Sequence, residues 1–94
     1  MSAIDTNAVI LLCGATLQAM PSLGLEPSMA DELNGALARA RKAVSAEAVQ
    51  AEAALSEVRM MRYILVEAAS GPLAAFLADS AARIIGDDIG RLFS

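Results

Sequence analysis

The chain has 94 residues, 7 Lys and Arg against 11 Asp and Glu, a formal net charge of −4 and no extended basic tract, which excludes the electrostatic footprint of a nucleic-acid binder. It has no histidine and one cysteine, so the commonest general base and metal ligand are missing, no intrachain disulfide can form, and a reducing, cytoplasmic setting is the expectation. Hydrophobic residues make up 56% of the chain and aromatic residues 3%; a core built from Leu, Ile, Val, Met and close-packed Ala favours helices and offers no alternating strand pattern, so the sequence reads as one all-α domain.

The first predicted helix covers about residues 5–20. Asp5 and Thr6 are good N-cap types, and Pro21 cannot continue a helix without losing a hydrogen bond. Ala8, Leu11, Leu12, Ala15 and Ala19 form one stripe, while Val9, Ile10, Cys13 and Leu17 carry apolar character around most of the remaining circumference. A helix apolar on nearly all sides requires burial on nearly all sides, which makes this segment the leading candidate for a contact surface with another chain. Asp5 stands where a secretory signal would carry Lys or Arg, and no apolar run approaches the ~18 to 20 residues of a membrane span. Cys13 lies mid-helix among apolar neighbours, where burial makes a thiol inert.

Residues 21–27, PSLGLEP, hold two prolines and Gly24 and read as a hinge or hairpin loop. Ser28, followed by Asp31 and Glu32, suits the start of a helix. From residue 28 to 69 there is no proline and one glycine, and the spacing predicts one long helix of roughly 63 Å at about 1.5 Å per residue. Its stripe is Leu33, Leu37, Ala40, Val44, Ala48, Ala51, Leu55, Val58, Met61, Leu65 and Ala68. Four-residue steps from Ala40 to Ala48 resemble a stutter, and Ser45 and Ala46 mark the one place where a break is admissible, although neither is a strong breaker.

Ser70-Gly71-Pro72 ends this helix and starts a third, about residues 72–93, with Pro72 at the first helical position. Leu73, Phe76, Leu77, Ala81, Ile84, Ile85, Ile89, Leu92 and Phe93 mark its apolar side, and Gly86 and Gly90 are points of fraying or bending. The outer helices measure roughly 23 and 32 Å, so laid end to end they nearly match the middle one. Short connections make both antiparallel to it. The predicted architecture is therefore a coiled-coil-like three-helix hairpin or bundle, with a long central helix and an open face for a further chain.

Candidate chemistry is sparse. Glu47, Glu52 and Glu57 are five residues apart, which spreads them around a helix instead of gathering them for a metal. Asp87 and Asp88 have no other oxygen ligands nearby in the sequence and read as solvated or as caps of a final turn. Arg39, Arg41 and Lys42 precede those glutamates, and Arg59 and Arg62 follow; they read as a set of independent, screened surface charges. Two long helices paired antiparallel about Gln50 and Ala51 would oppose Arg39 with Arg62. Tyr63 and Glu67 read Y-x-x-x-E, similar to the export signal of small WXG-type secreted helical hairpins, but the chain has no Trp for their Trp-x-Gly turn, and no family is assigned.

The expectation is a non-enzymatic helical interaction protein, an adaptor, chaperone or assembly subunit, without cofactor, metal, catalytic residue, nucleic-acid partner or transmembrane segment. It buries an apolar helical face against a protein partner or a copy of itself, through Val9, Ile10, Leu12, Leu17, Leu33, Leu37, Val44, Leu55, Val58, Met61 and Leu65. The alternative is an α-helical small-molecule or lipid-binding sensor with a pocket between the long helix and the C-terminal helix.

Overall fold

The computed structural model describes residues 4–93, with side chains up to residue 86. Four helices, α1 (Thr6–Ala19), α2 (Pro27–Ser45), α3 (Ala51–Glu67) and α4 (Pro72–Phe93), account for nearly all of it, with a 3₁₀ turn at Met20–Ser22 and no strand among the described residues. Helix α1 starts as its sequence predicts: the Asp5 carboxylate accepts from the Ala8 N–H at 3.0 Å, satisfying one of the free amides of the first turn.

The predicted long helix is two helices. Ala46 is extended (φ −65°, ψ 152°), and the Gln50 N–H donates to the Ala43 carbonyl at 3.0 Å to close the reversal. The longest principal extent of the molecule is 37 Å, too short for a 42-residue rod. Register confirms the hairpin: Gln50 meets Ala43, and Arg39 Nε meets Glu57 Oε2 at 3.0 Å, so α2 and α3 run antiparallel. Residues 46–50 contain no strong breaker; burial decides. Folding back brings Leu33, Leu37 and Val44 against Leu55, Val58, Met61 and Leu65, all buried in one core, whereas a straight rod would leave that stripe to water. Ala48 is exposed and Ala51 half-buried, so the middle of the predicted stripe is turn and helix start.

Two further boundaries differ from expectation. Helix α2 begins at Pro27, with Glu26 extended as an N-cap lacking a side-chain hydrogen bond; Ser28 is exposed inside the first turn and caps nothing. The fixed φ of proline suits the first helical position, the same rule that correctly places Pro72. Residues 20–26 form a fastened corner instead of a hinge: Leu23 is fully buried and its carbonyl accepts from the Ser70 N–H at 2.9 Å. Gly24 has φ +67°, and a Cβ there would stand 2.9 Å from Ser70 Oγ. The positive φ is what calls for glycine at that point, since the exposed Ser70 hydroxyl can turn aside.

Among the described residues, α2 packs most extensively on α3 and α3 on α4, α1 lies on α2, and the α1–α4 seam is the thinnest of these. Alanines at positions 36, 40, 43, 54, 74, 78 and 81 are buried between these helices and allow close approach. The backbone of α4 stays helical through Gly86. Asp87, Asp88, Ile89, Leu92 and Phe93 lie outside the described side chains.

Candidate interaction site

Of the eleven residues predicted to face a partner, nine are buried within the chain's own core: Val9, Leu12, Leu33, Leu37, Val44, Leu55, Val58, Met61 and Leu65. The hairpin takes up the stripe that the rod would have offered to another chain. Ile10 and Leu17 remain outside, 43% and 45% exposed.

These two share the outward side of α1 with Leu11, which is 72% exposed. One buried side of the helix carries Val9, Leu12, Cys13, Thr16 and Ala19; the opposite side presents Asn7, Ile10, Leu11, Ala15, Leu17 and Gln18 to water, with Gly14 partly covered. There is no charged residue from Thr6 to Ala19, an unusual state for the solvent side of a surface helix. The exposed Met60, Tyr63 and Val66 of α3 are, by contrast, interleaved with Arg59, Arg62 and Glu67.

Across the thin seam, α4 adds Phe76 (64% exposed) and Leu73 (47%), and Leu73, Leu77, Ser80 and Ile84 follow one another at helical spacing along the side that meets α1. Between the helices lies an open cavity of about 400 Å³ lined by Ala8, Leu11, Leu12, Ala15, Phe76, Leu77, Ser80, Arg83 and Ile84. Its polar groups have partners already: Arg83 Nη2 is paired with Asp79 Oδ2 at 2.7 Å, and the Ser80 hydroxyl donates to the Phe76 carbonyl at 3.0 Å. The site is thus an apolar groove with a neutralised ion pair at its rim. A smaller cavity of about 280 Å³ lies between α3 and α4, bordered by Leu65, Val66, Ala69, the Ser70-Gly71 turn and Ala74, so the larger cavity is on a different helix pair from the one the sequence suggested.

The remaining chemistry is structural. Cys13 is fully buried, its Sγ donates to the Leu37 carbonyl at 3.5 Å, and desolvation raises its pKa from 9.0 to about 11 against a smaller lowering by Arg41; such a thiol is a poor nucleophile. Thr16, the buried polar side chain of α1, donates to the Leu12 carbonyl at 2.7 Å. Arg39 and Glu57, read from the sequence as independent surface charges, form the ion pair that bridges α2 and α3. Among the described residues no group of three or more His, Cys, Asp or Glu is placed to hold a metal, and no helix is long and apolar enough to cross a membrane.

Sequence reasoning missed Leu11, Phe76 and Leu73 as surface residues, because each also fits an apolar stripe at core spacing. The signal that singles out this side is the run of fourteen uncharged residues in α1. No protein family matches the chain, and no curated protein or solved structure matches it.

Proposed function

We propose that the protein is a non-enzymatic helical interaction module, an adaptor, chaperone or assembly subunit, whose docking surface is the outward side of α1 with the adjoining α1–α4 groove. The observation that carries this reading is an uncharged helix with Ile10, Leu11 and Leu17 in water beside Phe76 and Leu73. Large apolar side chains gathered on one exposed side are the kind of surface that commonly marks an interaction site. The mode is helix-in-groove docking: Leu11 and Phe76 supply contact area, while Gly14 and Ala15 let a second helix come close. The lone reduced Cys13 fits a cytoplasmic setting.

Exposed positions provide the test, since Asp at the buried Val9 or Leu12 would unfold the chain before it informed on binding. Leu11→Asp and Phe76→Asp should abolish binding of the apolar fluorophore bis-ANS and any association seen by light scattering, with melting within a few degrees of wild type. A wild-type chain that stays at 9.7 kDa and leaves the fluorophore dark overturns the reading.

The cavity of about 400 Å³ favours a second reading, a small apolar ligand held between α1 and α4, within the ~300–1,000 Å³ range of ligand sites. Thermal shift against aliphatic and lipid probes separates the two: stabilisation by a probe at fixed protein concentration supports a sensor, and melting that rises with protein concentration supports assembly.

A further inference from the structure

The outward side of α1 is complementary to itself when read backwards, and from this we infer that its occupant is a second copy of the chain, packed antiparallel across a twofold axis near residue 13. The inference rests on the interaction reading above and names the partner. In an α-helix, Gly14 lies near the middle of this side, Ile10 and Leu17 along one flank, Leu11 and Ala15 along the other, and Asn7 and Gln18 at the two ends.

A twofold axis perpendicular to the helix reverses direction while keeping each flank with its own kind. It therefore sets Ile10 beside Leu17 of the second copy on one flank and Leu11 beside Ala15 of the second copy on the other. Asn7 meets Gln18 of the second copy, an amide against an amide, each with donor and acceptor to give. The three pairings share one centre to within a residue, and Gly14 falls at the crossing. Among the described residues, nothing beyond its own turn of helix lies within 4 Å of a Cβ built at Gly14, so the missing side chain makes room for no neighbouring element of the monomer.

Charge points the same way. The chain carries −4, which resists self-association over most of its surface, but α1 brings no charge to the contact. Antiparallel packing also sets the two helix dipoles in opposition, where parallel packing would align them.

Sedimentation equilibrium of the full chain from micromolar to millimolar concentration should show monomer passing to dimer. Gly14→Leu should abolish the dimer while its monomer melts at or above the wild-type temperature, because the added side chain meets no internal neighbour and leucine is the better helix former. A dimer that survives Gly14→Leu overturns the crossing point. For orientation, N7C mixed with Q18C should give a disulfide-linked dimer on mild oxidation, and neither alone should; the buried Cys13 does not compete. Efficient linkage of N7C to itself overturns the antiparallel arrangement. A wild-type chain that is monomeric throughout yet binds bis-ANS in a Leu11- and Phe76-dependent way rules out the second copy and leaves the interaction module standing, whereas a monomer that binds nothing removes both.

Discussion

At Cys13 the thiol is held in its neutral form by burial, and that preference makes stability depend on pH. Its folded pKa, about 11, lies above the ordinary 9.0; the native state therefore keeps a proton that the unfolded chain releases. The contribution is complete below pH 9 and drains away as pH rises from 9 to 11. Urea midpoints measured across that window should fall more steeply for wild type than for Cys13→Ala, and maleimide should label the native thiol far more slowly than the unfolded one. At Gly24 the constraint is steric. Gly24→Ala places a Cβ at positive φ and 2.9 Å from Ser70 Oγ, which should cost about 1–2 kcal/mol. In calorimetry that corresponds to a fall of roughly 5–15 °C in a domain of this size.

Among the elements, the α2–α3 hairpin shows where sequence reading succeeds and where it stops. The apolar stripe from Leu33 to Leu65 was legible, and so were helical content, the Asp5 cap and the starts at Thr6 and Pro72. Its disposition was not, because a stripe at steps of three and four looks the same whether it faces another chain or is folded onto itself. Residues 45–50, SAEAVQ, have adequate helix propensity and give way only because reversal buries both halves. The alternating charge blocks held a usable clue: Arg39 opposite Glu57 is what an internal reversal produces, whereas an antiparallel pair of rods opposes Arg39 with Arg62. The ion pair itself is half in water, with side chains 60% and 23% exposed, so Arg39→Ala should lower stability by no more than about 1 kcal/mol in denaturant titration. The candidate site was legible in part: α1 is apolar all round, which marks it for contact, but which of its residues its own chain claims depends on the helices set against it.

For the molecule as a whole, the thin α1–α4 seam makes α1 the least anchored helix of the bundle among the described residues. Hydrogen exchange should protect the amides of α2 and α3 most, with those of α1 opening at lower free energy. Cover by a second copy should raise α1 protection as protein concentration increases, and an exchange rate in α1 that ignores concentration would argue against association.

The backbone bond from Ser70 to Leu23 has a topological effect. It joins the entry of α2 to the exit of α3, at the end of the hairpin away from residues 46–50, so two backbone segments meet there without a covalent link. A protease cut in the exposed stretch Glu47–Gln50 should consequently yield two fragments that travel together on a sizing column and separate only in denaturant. The turn that sequence reading took for the middle of a rod is thus the place where the polypeptide is most dispensable.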